Sequence, residues 1–497
     1  MPPNEIEVSA RRGAPEQTDA DTRVVGLFAD EDPSDAAIAP LFEIGEAKGG
    51  LRKVAVAHEQ GPDGLRRVMA AGLGKRDEFD AERARVAAAA VAGLAKSLGA
   101  RSLSWLCPTQ GEGIAEGLVE GTLLALYNFD DFKSKSDNDD ESSDDQGEND
   151  DEDEITKLEI VNPDEDLAER VDRARTAAEA QNAARDLQNL PGNVATPTHL
   201  AQCAQEIASE FAGAGLSCEV LDRAKIEQLE MGAFASVAQG SYAEPALIVM
   251  RYDGGGSGPH LGYVGKAVTF DTGGISIKPS AKMQEMKFDM SGGAAVIEAM
   301  AAIASEGIEA KVTAVVPSTE NMPSGRSVKP GDIVTAMNGK TIEVNNTDAE
   351  GRLILADALC YAVDQGCERI IDLATLTGAI IVALGSTNAG LFSNDDDWYA
   401  EVESACDATG ELGWRLPLHP EYFELTKGQY ADLTNASDTR KAMSIYAAEF
   451  LKQFVGETPW VHMDIAGTAW GGTRNYVGSG ASGYGVRTLI DLARRAS

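Results

Sequence analysis

The feature that most restricts the fold is a regular alternation of strand-like and helical segments from about Leu190 to the C-terminus. The strand-like segments are Ala246–Arg251, Leu261–Gly265, Lys311–Pro317, Arg369–Leu373 and Trp460–Ile465. The helical segments are Thr198–Ala214, Gly292–Ser305, Leu353–Gln365 and Ala442–Phe454. This alternation predicts an α/β domain with a central, mostly parallel sheet flanked by helices. In such sheets, binding sites gather at the carboxyl ends of the strands.

The N-terminal part has a shorter alternation of the same kind and predicts a separate, small α/β domain. Its strand-like segments are Arg23–Phe28, Lys53–Ala57, Val68–Leu73 and Leu103–Leu106, and its helix is the alanine-rich Phe79–Leu98. We therefore expect an N-terminal α/β domain over residues 1–162, a linking helix over 163–189 and a larger C-terminal domain over 190–497.

Acidity is the main signal in the composition. Eighty Asp and Glu residues against 43 Lys and Arg give a formal net charge of −37, which opposes binding to nucleic acid and to anionic membranes. Residues 131–154 are low in complexity and almost without apolar side chains, which predicts a disordered loop. Removing the twelve acids of Asp137–Glu154 still leaves about −25, so the acidity is general. We favour adaptation to high salt over an acidic tail for a basic partner.

The remaining composition predicts a cytoplasmic location. The N-terminal residues lack the apolar core of a signal peptide, and no stretch reaches the ~20 apolar residues of a membrane span. The six cysteines are scattered and form no C-x-x-C pair, as expected for a reducing compartment.

The first of two segments rich in reactive side chains is Lys266–Asp289. A strand-like run leads into Lys266 and then into a glycine-containing loop with Asp271. Lys278 follows seven residues later, and Asp289 stands directly before a glycine-rich helix start. One segment thus carries two lysines and two aspartates that a fold could bring to one place.

The second segment, Asn346–Arg352, carries Asp348, Glu350 and Arg352 at alternate positions before a predicted helix. In an extended segment, alternation sends these side chains to one side. If the two segments meet, their carboxylates would repel and raise one another's pKa values. Two divalent ions would remove that penalty, share bridging carboxylates and activate a bridging water. Lys278 or Arg352 could then stabilise the developing oxyanion.

Each residue also has a simpler interpretation. A loop aspartate usually closes a turn or caps a helix, as Asp289 would before its glycine-rich helix. A lysine beside acids usually forms a surface ion pair of little energetic consequence. Phosphatases and nucleases use paired metals as well, so the residues alone leave the class of hydrolase open.

Both segments resemble the signature regions of the leucyl aminopeptidase (cytosol aminopeptidase) family, most specifically in the string NTDAEGRL that begins at Asn346. Further strings that resemble the family are NLPGNVATPTHLA at Asn189–Ala201, DLATLTGA at Asp372–Ala379, WRLPL at Trp414–Leu418 and PWVHMDIAGTAW at Pro459–Trp470. The similarity covers the chain from about Leu190 to the end. The N-terminal region is similar only in size and α/β character.

The resemblance implies a metal-dependent aminopeptidase that releases N-terminal, preferably leucine-like residues from short peptides. Its tighter metal site would comprise Lys266, Asp271, Asp289 and Glu350. Its exchangeable site would comprise Asp271, Asp348, through side chain and main-chain oxygen, and Glu350. A lysine ligand must give up its proton, which a neighbouring divalent ion can enforce. The implied ions are manganese or zinc, with magnesium or cobalt as alternatives in the exchangeable site.

The resemblance also implies roles for residues around the metals. Lys278 would hold the substrate carbonyl oxygen and stabilise the oxyanion, and Arg352 would hold a bicarbonate ion that serves as general base. The implied substrate-binding residues are Asn346, Thr375, Leu376, Gly378, Met286 and Ala466. The family implies a homo-hexamer whose active sites face an internal cavity.

Three rival functions remain to be weighed. A catalytically silent family member would be expected to lose ligands, yet all seven metal and catalytic positions are present. A nucleic-acid-binding protein would need a basic surface, which a charge of −37 opposes. A phosphohydrolase with the same metal chemistry would need a phosphate-cradling loop, and no such motif is present.

The chain departs from the family in one loop. The family usually shows Asn, a Gly-Gly-Arg glycine-rich loop and a helix with Thr-Ala-Ala. Here the stretch reads NASDTRKAMSIYAAEFL over Asn435–Leu451, with Ser437, Asp438 and Ala442 in place of glycines. Because glycine tolerates conformations that other residues resist, we expect a loop of different shape. The substrate preference and subunit contacts that the family implies stay open at this loop.

If the acidity is an adaptation to salt, thermal stability and activity should both rise as KCl is added, because ions screen repulsion among surface carboxylates. Thermal melts and rate measurements across a KCl series check this expectation. Optima in dilute buffer that decline with added KCl would contradict it.

Overall fold

The computed structural model describes residues 6–61, 64–108, 111–134, 154–163, 165–437, 439–472 and 474–497. The chain divides into two compact units, Met1–Glu179 with Asn475–Val477 and Ala180–Arg474 with Gly478–Ser497. The disordered acidic loop predicted over 131–154 lies mostly outside the described residues. Within the ranges given above, no helix is long and apolar enough to cross a membrane.

The N-terminal unit is built on a six-stranded sheet. Its strands are β1 (Glu7–Arg12), β2 (Thr22–Phe28), β3 (Val54–Gly61), β4 (Gly64–Gly74), β5 (Ser102–Leu106) and β6 (Lys157–Asn162). Its helices are α1 (Ala39–Glu43), α2 (Ala81–Ser97) and α3 (Ile114–Leu126), and α4 (Ala168–Asn189) leads into the second unit. The strand order is β1-β6-β5-β2-β4-β3, parallel except between β3 and β4. Alanines of α2 pack with Trp105 in the core.

The C-terminal unit contains more strands and helices. Its strands are β7 (Leu216–Leu221), β8 (Ala246–Asp253), β9 (Leu261–Gly265), β10 (Ala267–Asp271), β11 (Lys311–Asn321), β12 (Asp332–Thr335), β13 (Thr341–Val344), β14 (Arg369–Ala374), β15 (Ala389–Ser393), β16 (Gly413–Arg415), β17 (Leu433–Thr434) and β18 (Trp460–Asp464). Its helices are α5 (Pro197–Glu210), α6 (Arg223–Gln228), α7 (Gly232–Ala238), α8 (Ser291–Ser305), α9 (Gly351–Asp364), α10 (Gly378–Leu384), α11 (Asp396–Thr409), α12 (Pro420–Phe423), α13 (Met443–Leu451) and α14 (Val486–Arg495).

The main sheet of this unit runs in the order β16-β15-β18-β14-β9-β11-β8-β7, with β10 beside β11. Its four central strands, β18, β14, β9 and β11, are parallel to one another. Antiparallel pairing is confined to β15 with β18 and to the β11-β8-β7 side. The predicted α/β fold, with a smaller N-terminal domain and a mostly parallel catalytic sheet, is confirmed.

Helices cover both faces of the central strands. Successive residues of a strand point to opposite faces, and neighbours in β9 show this. Val264 packs in a core cluster with residues of α7, α9 and α13. The hydroxyl of Tyr263 donates a hydrogen bond to Leu489 O of α14 at 2.8 Å. With both faces covered, polar side chains collect at the ends of the strands.

Two glycines let helix α8 approach the sheet closely. An added Cβ would lie 2.0 Å from Leu373 O at Gly292, and 2.5 Å from the carbonyl of Gly292 at Gly265. The amide of Gly293 donates to Lys266 O at 2.8 Å, and the amide of Lys266 donates to Leu373 O at 3.0 Å. The backbone of Lys266 is therefore fixed between α8 and β14.

We predict that Gly292→Ala destabilises the protein by roughly 1–3 kcal/mol, because its methyl group has no space against Leu373 O. Activity should fall as well, since the helix can move only by displacing Lys266. Denaturant unfolding and rate measurements check this. The control is Gly93→Ala in α2, where nothing lies within 4 Å of the added Cβ and stability should be equal or higher. Wild-type stability in Gly292→Ala would contradict the packing argument.

Candidate metal centre

An open cavity of about 570 Å³ in the C-terminal unit is lined by every site residue predicted from the sequence. The ligand candidates in its wall are Lys266, Asp271, Asp289, Asp348 and Glu350, and the catalytic candidates are Lys278 and Arg352. The substrate-binding candidates in its wall are Asn346, Thr375, Leu376, Gly378, Met286 and Ala466. The fold thus brings both sequence segments to one place.

Strand ends position the first segment. Lys266 lies between β9 and β10, Asp271 ends β10, and Thr375 directly follows β14. Asp289 lies in a 3-10 turn, Met283–Met290, that leads into α8. These positions follow the rule that sites form at the carboxyl ends of parallel strands.

The side chains of Asp348, Glu350 and Arg352 reach the cavity through a backbone conformation that differs from the predicted one. Glu350 has helical backbone angles (φ −76°, ψ −34°) and caps α9, so Arg352 lies in the first turn of that helix. A tight turn precedes it, in which the amide of Asp348 donates to Asn346 Oδ1 at 2.9 Å. The prediction of an extended, alternating segment was wrong because the helix begins at Gly351, before the predicted start at Leu353.

Lys266 joins two of the carboxylates. Its Nζ lies 2.8 Å from Asp289 Oδ1 and 2.8 Å from Glu350 Oε1, and it donates to Thr375 O at 2.9 Å. Three acceptors match the three protons of an ammonium. Burial alone would lower the pKa of Lys266, but Asp289, Glu350 and Asp271 outweigh it and raise that pKa.

Lys278 joins the other two carboxylates. Its Nζ lies 2.7 Å from Asp271 Oδ2 and 2.6 Å from Asp348 Oδ1. Burial opposes the charged form, but Asp271, Glu350 and Asp348 outweigh it and raise the pKa of Lys278. A charged ammonium in the cavity wall is suited to hydrogen-bond a developing oxyanion.

The pKa values of the carboxyl groups reflect their burial together in one site. Burial and the charge of Glu350 raise the pKa of Asp271 to about 6. Burial also raises the pKa values of Asp289 and Asp348. The pKa of Glu350 is lowered, because its two lysine neighbours outweigh its burial. Further positive charge at this place would therefore be favourable.

The residues fit a divalent metal centre. Carboxylate oxygens of Asp271, Asp348 and Glu350 lie within 4.8 Å of one another. Asp289 is joined to them through Lys266, and its Oδ2 is buried without a hydrogen-bond partner. Oxygen donors grouped in this way suit ions such as Mg²⁺ and Mn²⁺, and Zn²⁺ also accepts carboxylates.

Comparison with known proteins bears on both parts of the chain. Residues 182–490 match the family described as "Cytosol aminopeptidase family, catalytic domain", and residues 19–136 match the N-terminal domain of the same family. The chain belongs to the cytosol aminopeptidase family. It is accordingly a metal-dependent aminopeptidase that acts on peptides.

Individual relatives match over nearly the whole length. A "Probable cytosol aminopeptidase" of Solibacter usitatus is 44% identical over 493 residues, covering 98% of this chain and 99% of the relative. The structure of "Bottromycin maturation enzyme BotP in complex with Mn" shares 33% identity and a TM-score of 0.83, covering 96% of this chain and 99% of that chain. A mutant of tomato leucine aminopeptidase shares 33% identity and a TM-score of 0.86, covering 99% and 97%.

Two supporting residues of this aminopeptidase escaped the sequence reasoning. Asn321 ends β11, and its Nδ2 donates to Asp271 Oδ1 at 2.8 Å and to Thr347 O at 3.0 Å. Asn435 follows β17, and its Nδ2 donates to Asn346 O at 2.7 Å. The available signal was their position, since each is an asparagine at the end of a strand that leads to the site.

Arg352 has an unusual environment. Its Nη1 donates to Asn435 O at 2.8 Å, and its guanidinium carbon lies 5.2 Å from the centroid of the Tyr446 ring. Burial lowers the pKa of Arg352, and its Nε is buried without a partner. The Nε–H therefore has no acceptor among the described residues.

A buried carboxylate holds the substrate-side loop. Asp464 at the end of β18 accepts hydrogen bonds through Oδ1 from the amides of Leu376 at 3.2 Å, Thr377 at 3.3 Å and Ala466 at 3.3 Å. Its Oδ2 accepts from the hydroxyl of Thr377 at 2.5 Å. This positioning residue was also missed, because nothing in the sequence shows which backbone amides meet its side chain.

The loop that departs from the family forms one wall of the cavity. Ala436, Ser437, Thr439 and Lys441 line it. Ala442 adopts left-handed backbone angles (φ 53°, ψ 34°), which a non-glycine residue adopts only at an energetic cost. Asp438 lies outside the described residues. The altered sequence thus lies in direct contact with the space where substrate would bind.

We predict that Asp289→Ala lowers the metal bound per subunit, because it removes a buried carboxylate with a free oxygen. Elemental analysis after dialysis measures this. The matched control is Glu298→Gln in α8, which lies outside the cavity wall and has a pKa raised to about 8 by burial. Its metal content should stay at the wild-type level. If the Asp289→Ala variant is folded, fully active and binds as much metal as the wild type, Asp289 is not a metal ligand.

Proposed function

We propose that this aminopeptidase releases leucine-like N-terminal residues from short peptides in the cavity described above. The observation that carries the proposal is the meeting, in one cavity, of a carboxylate triad with a charged lysine. Lys266, Asp271, Asp289, Asp348 and Glu350 would hold two divalent ions. The ions would be manganese or zinc, with magnesium or cobalt as alternatives at the exchangeable site. When bound, such ions activate water and polarise the scissile carbonyl.

The carboxylate cluster would favour a free N-terminus. A protonated peptide amine is attracted to the carboxylates, and once it has lost its proton its lone pair can bind a divalent ion held there. An acetylated N-terminus offers neither. The cluster therefore selects the first residue of a peptide and disfavours internal bonds.

Lys278 would stabilise the oxyanion. Its flanking carboxylates raise its pKa, so that it keeps its protons and donates a hydrogen bond to the carbonyl oxygen as negative charge develops there. Preorganised donors of this kind are worth roughly 10²–10³ in rate. Because its contacts to Asp271 and Asp348 already fix the ammonium, little reorganisation is needed.

Arg352 would orient a bicarbonate ion as proton acceptor. Among the described lining residues there is no histidine, and the four carboxylates of the metal centre each contact Lys266 or Lys278. The buried Nε of Arg352 has no partner, and a guanidinium recognises planar oxyanions well. The supporting contact to Asn435 O holds the side chain in place.

The remaining wall would recognise the substrate itself. Met286 and Ala466 would form an apolar pocket for the first side chain, which is the basis for a leucine-like preference. Thr375, Leu376 and Gly378 would line the substrate backbone, with Asn346 nearby. The hydrogen bonds from this loop to Asp464 support a rigid placement.

The assembly and location remain part of the proposal. We infer a homo-hexamer with active sites facing an internal cavity, which would exclude long peptides. We also infer a cytoplasmic location. Family membership supports both, and the cavity residues all fall in the proposed catalytic domain over 190–497.

The activity test uses leucine amide and a leucine-initiated peptide with and without divalent metal. We expect hydrolysis only with metal, loss of activity on chelation, and recovery when Mn²⁺ is added back. Rates of leucine release measure this. An N-acetylated version of the same peptide is the matched control and should resist hydrolysis. Equal turnover of the acetylated peptide would rule out the proposed selection of a free amine.

A further inference from the structure

The cavity wall changes in character from its buried end to its mouth. The metal-ligand candidates and Arg352 are mostly buried, whereas the outermost lining residues are exposed. Among the described lining residues, the exposed ones that carry charge are Lys282 and Lys441. Glu285 also lines the cavity, but only 30% of its side chain is exposed. The described rim therefore carries two exposed lysines against one partly exposed carboxylate.

This rim contrasts with the rest of the molecule. The chain has 80 acidic and 43 basic residues, so that an average patch of surface would carry more carboxylates than amines. Two exposed lysines against one partly exposed acid are the reverse of that average. They come from two different segments, one before the 3-10 turn that carries Asp289 and one in the loop that departs from the family.

Neither lysine is held by a strong internal contact. Lys441 has no ion pair within the described part of the chain, and only its backbone amide is bonded, to Thr439 Oγ1 at 3.3 Å. Lys282 Nζ lies 3.5 Å from Glu285 Oε1, with 77% of the lysine side chain exposed, and such a pair is weak. Lys282 also has a left-handed backbone (φ 65°), a conformation that favours glycine. Both ammonium groups are therefore available to a ligand.

We propose that Lys282 and Lys441 bind a carboxylate in the part of the peptide that follows the scissile bond. This rests on the proposed function, in which the first residue occupies the buried end and the rest of the peptide fills the mouth. The carboxylate comes either from the free C-terminus of a di- or tripeptide or from an acidic side chain beyond the first residue. The enzyme then favours such peptides over neutral ones.

The test compares two pairs of substrates that differ by one carboxylate. Leucyl-glycine against its amide tests the terminal carboxylate, and leucyl-glutamate amide against leucyl-glutamine amide tests the side chain. In at least one pair we expect kcat/KM to favour the carboxylate about threefold to tenfold, mainly through KM, because exposed ion pairs contribute little more. The pair that shows the preference identifies the source. The preference should shrink as KCl is raised.

Variants connect the preference to the rim. In the Lys282→Gln, Lys441→Gln double variant the ratio should fall toward one, while Lys441→Arg alone should keep it. The matched control is Lys225→Gln, an exposed lysine of α6 outside the cavity wall, which should leave the ratio unchanged. A wild-type ratio near one in both pairs, or a ratio that survives the double substitution, would overturn the proposal. Absence of turnover for every substrate would instead contradict the proposed function.

Discussion

The structure depends on a solution to one electrostatic problem, the gathering of four carboxylates, three buried and one partly exposed, at a single edge of a sheet. Removing charged groups from water costs several kcal/mol each, and like charges at short range add to that cost. Lys266 and Lys278 each contact two of the four acids at 2.6–2.8 Å. Neither lysine could do so from a mobile segment, because the contacts are worth much only at fixed, short distances.

The fold supplies this fixed placement from the backbone outward. Lys266 is held between two strands that share β11 as a neighbour, and α8 approaches so closely that only glycine is accommodated at Gly292. Polar side chains then complete the shell around the acids. Asn321 satisfies Asp271, and Asp464 collects the amides of the adjoining loop. In a low-dielectric interior an unpaired polar group is costly, so a polar network stabilises the fold only when each group has a hydrogen-bond partner. Asn321 and Asp464 are therefore as much a part of the site as the candidate metal ligands.

The sequence predicted what is local and repetitive. Alternating segments predicted the α/β fold, and the two motif segments supplied the metal-ligand and catalytic candidates that line one cavity. Arg352 was correctly predicted to lie near the carboxylates, but from an extended backbone. Helix α9 in fact begins at Gly351, two residues before its predicted start, and Arg352 lies in its first turn. Asn321, Asn435 and Asp464 were missed because their roles depend on which strands and loops are neighbours. Sheet order is a property of the whole fold, and hydrophobic periodicity carries no information on it.

The net negative charge of the whole chain and the carboxylates of the metal centre respond differently to salt. Salt screens charges separated by more than about 10 Å at 0.1 M, and about 3 Å at 1 M. The lysine–carboxylate contacts of the centre are at 2.6–2.8 Å and largely buried, so concentrated salt leaves them nearly intact. The repulsion produced by a net charge of −37 acts over longer distances and is removed by the same salt. At high salt a highly acidic chain therefore repels anionic peptides less. The exposed Lys282 and Lys441 in the cavity wall are screened by the same salt, so their attraction for a carboxylate is largest in dilute buffer.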